Sequence, residues 1–135
     1  MSSRRQTLEQ RRAEQAYTDV KQIDDARNTS LQKGYSSLAR KAPAMIQSNG
    51  LGQTLAFLRA KAGHKQQGEH WLLYHHLSTW ITGQMPPKQS SDNLLEWVIT
   101  QDSQVYRQAT TEALAYLNWL KRWAEAVLPD GEGES

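Results

Sequence analysis

The chain has 135 residues, enough for one domain with a real core and too few for two. Its formal charge is only +2. With no cysteine, a disulfide framework and thiolate chemistry are excluded. No apolar run approaches the roughly 20 residues needed to cross a bilayer. Polar Met1-Ser2-Ser3-Arg4-Arg5-Gln6 is followed by no apolar signal-peptide core, so a soluble cytoplasmic protein with no membrane partner is expected. Fifteen Leu and fourteen Ala stand against four Val and four Ile. That imbalance favours helix, where β-branched side chains lose rotamer freedom and unbranched ones lose little. The expected fold is all-α, a single-domain bundle of about five to six helices over residues 1–128, with a disordered acidic tail over 129–135.

In chain order, residues 6–28 read as a first helix, with Leu8, Ala13, Ala16, Tyr17, Val20 and Ile23 in one apolar stripe. Its mixed charges suit an exposed far side, and its first turn is expected to fray. Thr29 or Ser30 is placed to cap a second helix striped by Leu31, Tyr35, Leu38, Ala42, Met45 and Ile46. Gly34 weakens its first turn by roughly 1 kcal/mol relative to Ala. The apolar rhythm carries through Pro43, which predicts a kink near Ala39–Pro43 rather than two unrelated helices. Asn49-Gly50 ends that helix, glycine being suited to a left-handed C-terminal conformation.

A third helix runs from Leu51 through Leu55 and Leu58 to Ala62, with Phe57 on its flank and Gly63 at its close. After a polar loop, residues 69–82 form an aromatic-rich fourth helix containing Trp71, Tyr74 and Trp80. Gly83 to Asn93, with Pro86-Pro87, is the longest loop. The apolar run Leu94 to Ile99 fits a strand or a helix; a lone strand has no partner, and Asn93 with Glu96 resembles a capping box, so helix is favoured. The last helix, about 103–128, carries the strongest stripe (Tyr106, Thr110, Ala113, Leu117, Leu120, Ala124 and Val127) and should be the strut of the bundle.

Charge is distributed unevenly. Residues 1–65 carry twelve basic and five acidic groups, whereas residues 66–135 carry four and nine. Between Asp25 and Glu69 stand Arg27, Lys33, Arg40, Lys41, Arg59, Lys61 and Lys65, without one carboxylate. Such a stretch on two helices predicts a buried Leu/Ile/Phe face and a purely cationic outer one. Lys33 and Arg40, seven residues apart, lie nearly one above the other, with Lys41 adjoining. A polyanion-binding surface and a plain solvated face both fit this pattern. Phosphate contacts there would position a strand without reading its bases.

Other chemistry is weakly supported. His64, His70, His75 and His76 fall within thirteen positions, but adjacent helical residues diverge by about 100°, so His75 and His76 cannot chelate one ion together. Packing or an exposed polar face explains them better, and no metal is expected. Neither a nucleophile elbow, a phosphate loop nor a dinucleotide fingerprint is present, so no cofactor and no catalytic residue is assigned. Five tryptophans could stack bases. None is interleaved with the basic run, however, and Trp71 and Trp119 are expected in the core, with Trp80, Trp97 and Trp123 left open.

Two blocks carry a family resemblance. Tyr35-x2-Leu38-Ala39-x3-Pro43-x-Met45-Ile46-x3-Gly50-Leu51-x3-Leu55-Ala56-Phe57 resembles the signature of the small helical subunit of the type III-B CRISPR effector, the Cmr complex. Tyr106-x3-Thr110-x-Glu112-Ala113-Leu114-x4-Trp119-Leu120-Lys121-Arg122-x-Ala124 resembles that family's second block. The resemblance implies a non-catalytic antiviral-defence subunit. Several copies would stack head to tail beside the backbone subunits that hold the guide RNA, and would help line the groove of the single-stranded target RNA. It makes Pro43 and Gly50 architectural, puts Trp119 in the core, and offers Arg40, Lys41, Lys121 and Arg122 as backbone contacts. Lys33, Arg59, Lys61 and Lys65 join them from the charge pattern. The rival reading is a purely structural scaffold subunit whose cations bind an acidic protein neighbour.

Overall fold

In the computed structural model, residues 6–85 and 91–129 are described. Six helices follow in order: α1 (Leu8–Asp25), α2 (Thr29–Asn49), α3 (Leu51–Ala62), α4 (Glu69–Gln84), α5 (Leu94–Val98) and α6 (Ser103–Val127). No strand occurs among the described residues. Pro86-Pro87 and the acidic tail beyond Pro129 lie outside them.

The helix ends show how local chemistry divides the chain. A capping box starts α1: the Gln10 N–H donates to Thr7 Oγ1 at 3.1 Å, and the Thr7 N–H donates to Gln10 Oε1 at 2.8 Å. It stops at Asp25 rather than 28, because Arg27 turns into the left-handed region at φ 54°. The cap of α2 is Asn28, whose Oδ1 accepts the Leu31 N–H at 3.1 Å, and not Thr29 or Ser30, which lie in its exposed first turn. From there α2 runs through Pro43 as one helix. Gly50, at φ 91°, makes the break before α3 that the sequence predicts. Two residues of the expected loop, Gly83 and Gln84, instead complete α4. At α5 the Asn93 side chain makes no capping bond, so the predicted capping box does not form.

Gly50 has no side chain to cap α3. The missing partner comes from α6: the Gly52 N–H donates to the Tyr106 hydroxyl at 2.7 Å. A Cβ on Gly52 would stand 3.2 Å from that oxygen, so the glycine admits the tyrosine. One of the four orphan donors of a helix start is thereby satisfied from 54 residues away.

The core gathers the predicted stripes. Ala16, Val20 and Ile23 of α1 meet α6, while Tyr35, Leu38, Ala42 and Ile46 of α2 pack between α6 and α4. Leu51, Leu55 and Leu58 seat α3 against α4, which contributes Leu73, Tyr74, Leu77, Trp80 and Ile81. From α6 come Ala113, Tyr116, Leu117, Leu120 and Ala124. Of the tryptophans, Trp80 is the buried one; Trp71 and Trp119 are half-buried against the core. The Trp119 indole N–H reaches Glu9 at 2.7 Å, and that of Trp123 reaches the Ala13 carbonyl at 3.0 Å, tying α6 to α1.

Tyr106→Phe should remove the α3 cap while keeping the ring. We expect a loss of about 1 kcal/mol, the usual worth of an N-terminal cap, read as a drop of about 3–5 °C in Tm by calorimetry. An unchanged Tm would show that water replaces the hydroxyl.

Candidate nucleic-acid interface

The sequence-predicted cations fall into three places. On α2, Lys33 and Lys41 are exposed and line one cleft of about 230 Å³ with Gly34, Ser37, Leu38, Glu69 and His70. Arg40 is half-buried, its Nε–H lying 3.4 Å from the Ser36 carbonyl of its own helix. Gly34 has a role the sequence did not suggest. A Cβ there would lie 2.8 Å from the Glu69 carboxyl carbon, so the bare backbone leaves room for that carboxylate against α2.

The second place is the end of α3. Lys61 is exposed. Arg59 and Lys65 line a cleft of about 340 Å³ with Gly63, His64, Gln66, Trp71, Tyr74, Asp92, Asn93 and Glu96. Here the expectation of a carboxylate-free face fails: Arg59 Nη1 lies 2.5 Å from Glu96 Oε2, and its guanidinium sits 5.5 Å from the centre of the Tyr74 ring. Their hydrogen bond holds Arg59 above its ordinary pKa and Glu96 below it. Glu96 arrives on α5, 37 residues along the chain from Arg59, beyond the range of any local pattern. The separation of tryptophan from basic residues also disappears in space, since Trp71 shares this cleft with Arg59, His64 and Lys65.

The third place is α6. Lys121 is half-buried, and Arg122 is exposed with Glu125 at 3.4 Å. At 1.5 Å per residue, Lys121 stands about 22 Å along the helix from Tyr106, which marks the α2–α3 joint. The fold therefore brings Lys33 together with Lys41, and Arg59 with Lys65, but leaves Lys121 and Arg122 apart from that joint. Pro43 is half-buried within α2, Gly50 forms the joint itself, and Trp119 braces α1.

The histidines separate as helical geometry requires. His75 Nδ1 lies 2.6 Å from Asp92 Oδ1, with the ring stacked on Trp71, while His70 meets Phe57 edge-on. His76 is buried, with Tyr35 Oη 2.7 Å from Nδ1 and Gln22 Oε1 2.8 Å from Nε2. The Gln22 carbonyl can only accept, so Nε2 carries a proton, and burial disfavours a second one, leaving Nδ1 to accept from Tyr35 in a neutral ring. Beside it, buried Asp19 accepts from the Tyr116 hydroxyl and, at 3.0 Å, from Gln15 Nε2. Buried Glu112 takes Arg12 at 2.7 and 2.9 Å and the Trp80 indole N–H at 2.7 Å. Among the described residues, no group of three or more acidic or histidine side chains is arranged to hold a metal. No buried side-chain polar atom among them lacks a partner.

What these parts define as a class is a strand-free helical bundle with acid–base groups paired in its interior and unpaired lysines on its helices. The family model of CRISPR-associated proteins named Cas_Cmr5 matches residues 8–127. A curated relative, the CRISPR system Cmr subunit Cmr5 of Thermus thermophilus, is 29% identical over 98 residues, covering 71% of this chain and 76% of its own. The crystal structure of a CRISPR-associated Cmr5 family protein from Thermus thermophilus superposes with a TM-score of 0.71 at 27% identity, over 92% of this chain and 100% of that one. The chain belongs to the Cmr5 family, the small type III-B Cmr subunit that its two sequence blocks resemble. Among the described residues, no helix is long and apolar enough to cross a membrane.

Two buried groups titrate in opposite senses. Desolvation pushes Asp19 up to about 6, against the pull of Tyr116 and Gln15, and lowers His76 to about 3. Unfolded His76 binds its proton near 6.5, so its contribution is intact above that pH and is lost as pH falls from 6.5 through 3. Unfolded Asp19 holds its proton only near 3.8, so its contribution is intact below that and is lost as pH rises through 6. Between about 4 and 6 the two offset each other. Asp19→Asn keeps an acceptor for Tyr116 and removes one arm. Urea unfolding across this range should be nearly flat for the native chain, and for the variant should lose up to about 1.4 kcal/mol per pH unit on acidification. Equal slopes would refute the compensation.

Proposed function

We propose that the chain is a non-catalytic cytoplasmic subunit of a type III-B CRISPR effector. It stacks in several copies, head to tail, beside the subunits that hold the guide RNA, and it lines the groove of the single-stranded target RNA. The contacts run to the strand's backbone from Lys33, Lys41, Lys61 and Lys65, with Arg40, Arg59, Lys121 and Arg122 adding charge around them. Family membership supports the setting.

One observation carries the RNA role. Among the described residues, no carboxylate comes within ion-pair distance of Lys33, Lys41, Lys61 or Lys65, although α1 and α6 carry interspersed acids. Unpaired, exposed lysines are what a phosphate backbone needs, and phosphates position a strand without selecting its sequence. Each such contact releases condensed counterions, so affinity should fall with salt at a log–log slope of about −0.7 per contact.

Lys33→Glu with Lys41→Glu alters only exposed side chains. In the assembled complex the pair should weaken target-RNA binding and reduce the salt slope by about 0.7 per lysine, with the Tm of the subunit unchanged. Unaltered RNA affinity together with failed assembly would favour the scaffold role, in which these lysines meet an acidic protein neighbour.

A further inference from the structure

Three clefts compete for attention. The one beside Asp19 and His76 contains Trp80 but no Lys or Arg, and its buried polar groups already satisfy one another. The Lys33–Lys41 cleft has cations but no aromatic ring apart from His70. Of the three, the cleft between the end of α3, the 64–66 loop, α4 and the start of α5 joins an indole to an unpaired lysine. Its volume, about 340 Å³, falls in the range of sites for small organic molecules.

We infer that this cleft is a subsite for one unpaired nucleotide of a single-stranded RNA, its base laid against Trp71 and its phosphate drawn to Lys65. The inference rests on the RNA reading above and adds a base contact to it. The aromatic platform is held in place. His75 stacks on the Trp71 indole with the ring centres 6.0 Å apart, and Asp92 fixes His75 at 2.6 Å. Tyr74 forms a buried floor under Arg59, and its hydroxyl donates to the Asp92 carbonyl at 2.6 Å. A platform ordered before the ligand arrives forfeits little on binding.

Charge then orients the ligand. Asp92 and Glu96, from the start of α5 and the residues before it, repel a phosphate but can accept from the N–H groups of a base edge, as can the amides of Gln66 and Asn93. From the 64–66 loop, Lys65 is exposed beside His64, with no carboxylate within ion-pair distance among the described residues. The base therefore points towards α5 and the phosphate towards the 64–66 loop. Stacking tolerates any base, because every base has a π-face.

The test measures anisotropy of a labelled single-stranded oligoribonucleotide with the full chain at low ionic strength, beside an abasic strand of equal length. Trp71→Ala should weaken binding of the intact strand by about 5- to 150-fold and leave the abasic strand unaffected. Trp71→Tyr should restore most of the loss. Lys65→Gln should weaken both strands and lower the salt slope by about 0.7. If Trp71→Ala moves neither strand, the subsite is overturned; weakening of both strands by Lys33→Glu with Lys41→Glu would then leave the backbone reading standing. A chain that binds neither strand overturns the subsite and leaves the backbone reading to be decided in the assembled complex. Photocrosslinking of a 4-thiouridine strand to the native chain gives a readout that needs no variant: attachment is expected within residues 64–71, and attachment confined elsewhere overturns the subsite.

Discussion

Four helices meet over a small set of buried polar side chains, whose pairing ties them to one another. Asp19 from α1, Tyr35 from α2, His76 from α4 and Tyr116 from α6 are all at least nine-tenths buried and joined in hydrogen-bonded pairs. Removing one partner would leave its mate facing a desolvated space, at a cost of about 1–3 kcal/mol for a neutral group and more for a charge. A purely apolar seam would tolerate sliding between helices; this one accepts a single register. The Arg12–Glu112–Trp80 cluster adds a second fixed point between α1, α4 and α6.

With the interior fixed in this way, the surface is free to carry unbalanced charge. The lysines of α2 and α3 contribute nothing to the core, and they repel one another across a solvent that screens them within about 10 Å at ordinary salt. Such an arrangement is tolerated in an isolated subunit and becomes favourable once a polyanion lies alongside. Where the fold does neutralise a cation, at Arg59, the carboxylate comes from a five-residue helix whose position is set by tertiary contacts.

Much of the architecture was legible because Leu and Ala recur at helical spacing and Gly50 and Gly63 punctuate them. The misses have two physical origins, the competition between neighbouring residues at a helix end and the reach of contacts between distant segments. Asn28 outcompetes Thr29 as a cap because Arg27 ends α1 just before it. The Asn93–Glu96 box does not form, since Glu96 pairs with Arg59 instead. Asp19 and Glu112 look like solvated helix charges until partners 97 and 100 residues away enclose them. The basic stretch was readable as a stretch, but its division into separate clefts, and the arrival of Trp71 beside Lys65, are products of packing that no one-dimensional pattern contains.

The bare backbone at Gly34 leaves room for a carboxylate beside the α2 lysines. Glu69 occupies the space where any side chain at that position would have to go, and Trp71 lies only two residues further along the same turn of α4. A methyl group at position 34 would meet only the far end of the flexible Glu69 side chain, which can swing aside and leave the α4 backbone in place. The hydrogen atom at position 34 thus makes room for a negative charge in the cleft that Lys33 and Lys41 line.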